Sequence, residues 1–247
     1  MKTKSRGVIF SGLFYSGQVV VGYTSTYLRE TGMGRYKLAI FDLDGTILYT
    51  IAQLANSLNE ARIRSGLEPQ DIDDIMAHVG RGVRNLVTWS VGTGEGELFE
   101  TVMDNYRAYY NEYCADNTYV YDGLFELMTK LHEEGMKLAV VTNKSDAPAG
   151  KLCEHFYPGL FSEVRGHRDG VPHKPDPALV NEVLDALDIG REDAVYIGDS
   201  DVDVKTAENS GMDHICVTWG YRTKEFLTEH GAKVLADDAE ELERLLL

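Results

Sequence analysis

Apolar positions along the chain follow two rhythms. Short continuous apolar runs appear at Leu38-Ala39-Ile40-Phe41 and at Leu138-Ala139-Val140-Val141, with shorter ones near Val164 and over 194–197, 214–218 and 233–235. Runs of this length, without polar alternation, read as strands buried on both faces. Between them, apolar residues recur at helical spacing over 124–133, 147–156, 178–187, 202–210, a short stretch after Thr223, and 239–246. Strands alternating with helices predict an α/β fold built on a parallel sheet covered on both sides.

Residues 49–118 break the alternation. Ile51, Leu54, Ala55, Leu58 and Ala61 lie on one helical face behind Thr50, a predicted N-cap, and Gly66 and Pro69 end that helix. Ile72, Ile75 and Val79 continue the helical rhythm, Gly80-Arg81-Gly82 interrupts it, and Val83, Leu86 and Val87 resume it. A last helix is predicted over 97–113, where several Tyr residues suit packing with a wet rim. The block carries no strand signal and separates the first strand from all the others. The pattern therefore predicts a core of residues 33–48 and 119–247 interrupted by a helical cap, 49–118. Residues 1–32 are basic and rich in Gly, Ser, Thr and Tyr. They read as a leader outside the fold, with the working protein starting near Met33.

The chain has 247 residues and a formal net charge of −16. That balance argues against nonspecific binding to nucleic acid or an anionic membrane, but leaves room for an anionic small substrate where local positive charge overrides the field. Cys114, Cys153 and Cys216 lack metal-ligand spacing and read as inert thiols in a reducing compartment. The apolar run near the N-terminus is interrupted by Ser11, Ser16 and Gln18, and no convincing export signal or membrane span follows. A cytoplasmic location is the expectation.

The chemistry is concentrated just after the strands, where open α/β sheets place their ligands. Phe41-Asp42-Leu43-Asp44-Gly45-Thr46 sets two carboxylates at the end of a buried run, which is costly unless a metal or a reaction uses them. One can attack as a nucleophile while the other handles protons. Val141-Thr142-Asn143-Lys144 offers a hydroxyl and exposed N–H groups suited to a phosphate. His173-Lys174-Pro175-Asp176-Pro177 projects a lysine from a chain fixed by two prolines. Gly198-Asp199-Ser200-Asp201-Val202-Asp203 masses three carboxylates that call for a cation. Taken singly, each has a plain alternative: an acidic turn, ordinary turn chemistry, a helix start, a solvated helix N-terminus.

In this order and at these separations, the four segments resemble the haloacid dehalogenase (HAD) superfamily of phosphohydrolases, from about Tyr36 to the C-terminus. The helical insertion resembles the small cap of the phosphoglycolate phosphatase-like subfamily. Asp122-Gly123, Asn209-Ser210-Gly211-Met212 and Val217-Thr218-Trp219-Gly220-Tyr221-Arg222 also resemble it. The resemblance implies a Rossmann-like parallel-sheet core with an inserted small all-helical cap. It implies Asp42 as nucleophile and Asp44 as general acid, then base. It implies Thr142, Asn143 and Lys174 as the phosphate grip, and Mg²⁺ held by Asp42, Asp44 and Asp199, with Asp203 in support. The implied reaction is Mg²⁺-dependent hydrolysis of a small phosphorylated metabolite through an aspartyl-phosphate. The implied substrate is 2-phosphoglycolate, with sugar phosphates, nucleotides or pyrophosphate as alternatives. A phosphomutase is a less favoured reading, and a catalytically silent binding module is the non-enzyme one. A monomer or homodimer is expected. The cap would act as a lid, and Arg81 is the candidate for reading a substrate carboxylate, because a guanidinium grips one bidentately. One departure stands out: relatives often carry an acidic residue just before a Ser or Thr where this chain has Tyr49-Thr50.

Overall fold

The computed structural model describes residues 36–247; the predicted leader, 1–32, lies outside them. The chain runs β1 (Leu38–Phe41), β2 (Leu48–Tyr49), α1 (Ile51–Arg64), α2 (Ile72–Ala77), α3 (Val83–Val91), α4 (Glu97–Tyr113), β3 (Tyr119–Val120) and α5 (Leu124–Glu133). It continues with β4 (Lys137–Ser145), α6 (Asp146–Phe156), β5 (Glu163–His167), α7 (Ala178–Leu187), a 3₁₀ turn (Arg191–Asp193), β6 (Ala194–Gly198) and α8 (Asp201–Ser210). The last elements are β7 (Asp213–Val217), α9 (Lys224–Glu229), β8 (Leu235–Ala236) and α10 (Ala239–Leu246).

Six strands form a parallel sheet in the order β5-β4-β1-β6-β7-β8. The strand farthest from its neighbours in sequence lies between them in space: Phe41 of β1 aligns with Val140 of β4 on one side and Ile197 of β6 on the other. Alternation along these apolar strands supplies two cores. Ala39, Phe41, Leu138, Val140, Val195 and Ile197 join one hydrophobic cluster with residues of α5, α6 and α10. Leu38, Ile40, Ala139, Val141 and Tyr196 join another with α7 and α8. Burial on both faces explains why these strands lack polar alternation.

The helices α1–α4 belong to the first cluster through Leu58, Ile75, Leu86, Val87, Phe99 and Met103. Leu58, Phe99 and Met103 are fully buried. Such side chains each stabilise the fold by about 1.5–3 kcal/mol. Leu67 N–H bonds back to the Arg62 carbonyl as Gly66 turns through positive φ, which closes α1 where Gly66 was expected to end it.

One local expectation holds in position but not in its hydrogen bond. Thr50 does stand at the N-cap of α1, but its side chain makes no cap hydrogen bond. The hydroxyl is committed to Asp44 instead, at 2.7 Å. Before α2, Asp71 supplies a cap that sequence reading missed, accepting from the Asp73 N–H. In addition, the two chain passages into and out of the helical region pair as a short antiparallel ribbon, Leu48 with Val120 and Tyr49 with Tyr119. The two tyrosine rings stack there, 4.5 Å apart. Tyr49, the departure from the usual acidic residue, is thus a packing element of this ribbon.

Candidate active site

The carboxyl ends of β1, β4 and β6 carry three of the motifs to one end of the sheet, and Lys174 joins them from the turn between β5 and α7. Asp42 leaves β1 with its N–H bonded to the Ile197 carbonyl, so the strand pairing carries the residue to its place. Its Oδ1 accepts from the Leu43 N–H at 2.7 Å and from the Lys174 ammonium at 3.0 Å. Lys174 also reaches Asp203 at 2.8 Å and donates to the Tyr196 hydroxyl at 3.0 Å. Asp203 is itself fastened: Ser200 donates to it through both N–H and hydroxyl, closing a capping box at the start of α8. Both Asp203 oxygens are therefore occupied, which suits anchoring Lys174 better than binding a metal.

Electrostatics follow from burial. Burial lifts the Asp42 carboxyl above the usual carboxylate range, Lys174 opposes the lift, and the carboxylates of Asp203 and Asp44 add to it. Burial likewise lifts Asp199 to about 7, with Asp203 and Asp42 adding to it, against the Tyr221 N–H and the Thr46 hydroxyl. Burial alone would lower Lys174, but Asp203 and Asp42 outweigh it and hold the ammonium well above its ordinary value.

Asp199 stands at the end of β6, held by the Thr46 hydroxyl at 2.9 Å and the Tyr221 N–H at 2.8 Å. Two glycines make that approach possible. A Cβ on Gly45 would lie 2.5 Å from the Asp199 Oδ2, and one on Gly220 would lie 2.3 Å from its Cβ. Oxygens of Asp42, Asp199 and Asp203 come within 4.8 Å of one another. Three buried carboxylates against the single ammonium of Lys174 leave a formal excess of two negative charges. An all-oxygen donor set with that excess fits a divalent cation, and Asp42 and Asp199 are the residues with lone pairs to spare.

Asp44 faces a different partner. Its carboxylate meets the ammonium of Lys144 at 2.7 and 3.0 Å and accepts from Thr50 at 2.7 Å. Thr142 is buried and borders the same cavity as Asp44. The Asn143 side chain is engaged by backbone: it accepts from the Lys174 N–H at 2.8 Å and donates to the carbonyls of Lys174 and Gly80. It thus ties together the two phosphate-grip segments and the Gly80–Gly82 turn, which commits its side chain to the scaffold.

The turn between α2 and α3 lies against the sheet edge. A Cβ on Gly82 would meet the His173 ring at 2.5 Å, so only glycine permits the close approach. Arg222 donates to the carbonyls of Met76, Ala77 and Val79, fastening the end of α2 to the core. Arg81 is not brought inward. Its side chain is 64% exposed and pairs with Asp201 at 3.0 Å. A cavity of about 60 Å³ lies under this turn, bounded by Asp42, Asp44, Gly82, Tyr106, Tyr110 and Lys144.

Lys144, Tyr196, Thr50 and Tyr221 had been given no role in this network from sequence. Lys144 was in view as part of the Thr-Asn-Lys segment, and Tyr221 as part of Trp219-Gly220-Tyr221-Arg222. Their partners Asp44 and Thr50 lie far away in sequence, so nothing local marks the pairing.

Residues 39–217 match the haloacid dehalogenase-like hydrolase family, and the chain belongs to it. A phosphoglycolate phosphatase of Psychrobacter arcticus is 34% identical over 194 residues, covering 75% of this chain and 84% of that one. One from Cereibacter sphaeroides is 31% identical over 215 residues, covering 84% and 98%. A crystal structure from Lactobacillus delbrueckii subsp. bulgaricus, provisionally assigned as a phosphoglycolate phosphatase, is 37% identical. It superposes with a TM-score of 0.81 over 86% of this chain and 99% of its own. Within the family, this chain is a phosphatase, a phosphoric monoester hydrolase of the phosphoglycolate phosphatase-like branch. No helix among the described residues is long and apolar enough to cross a membrane.

Proposed function

We propose that the chain hydrolyses a small phosphomonoester, 2-phosphoglycolate, through an aspartyl-phosphate on Asp42. The observation that carries this reading is the buried line Asp42–Lys174–Asp203, which presents a carboxylate oxygen and a fixed positive charge at one point of the sheet edge. A phosphate monoester repels an incoming carboxylate, and an ammonium beside the attacking oxygen offsets that repulsion.

Asp42 attacks phosphorus, the ester P–O bond breaks, and Asp44 gives its proton to the departing alkoxide. Asp44 then takes a proton from water, which attacks the same phosphorus; the Asp42–phosphorus linkage breaks and inorganic phosphate leaves. Thr142, Lys174 and the Asn143 N–H hold the phosphoryl oxygens. Mg²⁺ is the proposed cofactor, held by Asp42, Asp199 and the Asp44 carbonyl, where it supplies charge neutralisation for the phosphoryl oxygens. Asp203 and Tyr196 position Lys174.

The helical insertion, residues 49–118, is proposed to close over the leaving group and keep water out during the first transfer. The small volume beneath the Gly80–Gly82 turn supports a leaving group of few atoms: on the same measure one water needs about 10–15 Å³. This favours a two- or three-carbon acid over a nucleoside.

The test is phosphate release from a panel of 2-phosphoglycolate, sugar phosphates, nucleoside monophosphates and pyrophosphate, with Mg²⁺ and with EDTA. The expected result is a marked preference for 2-phosphoglycolate, lost in EDTA. Release led by a nucleotide or by pyrophosphate would overturn the substrate assignment.

A further inference from the structure

The cavity beside Asp42 holds a second buried cation, Lys144, which pairs with Asp44 and has no part in gripping the phosphoryl oxygens. Lys144 is 4% exposed at its side chain, and its ammonium sits 4.7 Å over the ring of Tyr110. It meets both oxygens of Asp44, yet an ammonium carries three donors. Tyr110 lines the same cavity and is only 4% exposed. Among the described residues its hydroxyl has no hydrogen-bond partner. A buried polar group without a partner is costly, so its retention calls for a ligand atom. Burial holds the phenol well above its ordinary range, which keeps the proton on the oxygen and the group a donor.

We propose that Lys144 and Tyr110 form the subsite for a carboxylate carried by the leaving group. One carboxylate oxygen would accept from the ammonium and the other from the phenol. Both residues border the cavity that also contains Asp42 and Asp44, so the acid lies within a short span of the ester oxygen. Charge-assisted bonds of this kind are the strong ones. Arg81, exposed and paired with Asp201, does not compete for the role. The walls contributed by Leu54, Val79 and Leu86 offer no other charge. The inference deepens the phosphomonoester reading and rests on it: it names the group that selects among short esters.

The experiment compares 2-phosphoglycolate with 2-hydroxyethyl phosphate, the neutral ester of the same length. Binding of each is measured by calorimetry with Mg²⁺ on the Asp42→Asn chain, alone and combined with Tyr110→Phe or Lys144→Met. Turnover of both esters is measured on the wild type and on Tyr110→Phe. Tyr110→Phe removes only an unpartnered hydroxyl, so it keeps the test valid even where Lys144→Met fails to fold. Tyr110→Phe is expected to weaken 2-phosphoglycolate about tenfold, with the neutral ester changed less than about threefold, and Lys144→Met to weaken the acid about thirtyfold, well beyond its effect on the neutral ester. In turnover, Tyr110→Phe should raise KM for the acid and leave kcat for the neutral ester near wild type. Equal loss on both esters, or none on either, would overturn the subsite. Selective loss of acid binding in a wild type that releases phosphate from neither ester would keep the subsite and reject the phosphatase chemistry.

Discussion

Replacing Asp203 by Asn probes the anchor of the site without changing its shape. Asp203 is 1% exposed and holds the Lys174 ammonium at 2.8 Å through one oxygen. The other oxygen accepts from the Ser200 N–H and hydroxyl. An amide can present its oxygen to only one side. If it faces Lys174, the Ser200 N–H meets an NH₂ group and loses its acceptor; if it faces Ser200, the NH₂ meets the ammonium. Either choice strands a buried donor, at about 1–3 kcal/mol, and removes one charge from a buried pair whose breaking costs about 3–5 kcal/mol. Asp42 still balances part of the Lys174 charge, so a loss of about 3 kcal/mol is expected. At about 2–4 °C per kcal/mol for a domain of this size, Tm should fall by about 6–12 °C. Lys174 would also lose its fixed position, and a donor displaced from the transferring group should reduce kcat by about 10²-fold. Thermal melts and phosphate release on the folded variant at low temperature give both quantities. A variant that melts within about 1 °C of wild type and turns over at the same rate would refute the anchoring role.

Further outcomes follow from the same geometry. The metal-free fold keeps the Asp199 proton up to about pH 7, whereas the unfolded chain releases it near 3.8. Folding thus takes up a proton between those values, and metal-free stability falls as pH rises through the window. Because a cation binds the deprotonated carboxylates, the Tm gain from added Mg²⁺ should be larger at pH 8 than at pH 5.5; a gain independent of pH would contradict the assignment. Gly220→Ala would set a Cβ 2.3 Å from the Asp199 Cβ. It should cost about 1–3 kcal/mol in chemical denaturation and weaken Mg²⁺ binding in calorimetry, while normal Mg²⁺ affinity would count against Asp199 as a ligand. Arg81→Ala breaks an exposed ion pair worth about 0–1 kcal/mol. It should shift KM for acidic and neutral esters alike, and a loss confined to the acid would return the carboxylate to Arg81.

The sheet was legible because its central strands carry runs buried on both faces and apolar, as Leu38–Phe41 and Leu138–Val141 illustrate. Helices with a strong face and a clear stop, such as Glu97–Tyr113 and Ala178–Leu187, were legible to the residue. The β2–β3 ribbon was not, because strands of two residues carry no period and depend on a pairing between Tyr49 and Tyr119. The strand predicted over 233–235 lies at Leu235–Ala236, where Ala236, not Lys233, packs into the core. Thr50 illustrates a residue that local rules place correctly and explain wrongly: its hydroxyl bonds Asp44 and Tyr221 rather than its own helix. At the site, the order of Asp, Thr, Lys and Asp motifs marked which strand ends would meet, since each motif sits on its own element. The supports around them were hidden. Tyr196 reads as an ordinary strand residue until folding sets its hydroxyl between Lys174 and the Val141 carbonyl. Lys144 was visible as a charge, but its burial against Asp44 and Tyr110 was not.

The most direct test of the account is a search for the covalent intermediate. The Asp44→Asn chain is mixed with Mg²⁺ and acetyl phosphate, whose acetate departs without a proton from Asp44, then quenched in acid, digested and analysed by mass spectrometry. The account predicts one added phosphoryl group on the peptide containing Asp42, because the residue that activates water for its removal is gone, and no such peptide from Asp42→Asn. Phosphate release by the wild type with no phosphoryl group trapped on Asp42 under any quench time, or with turnover surviving in Asp42→Asn, would contradict the central claim.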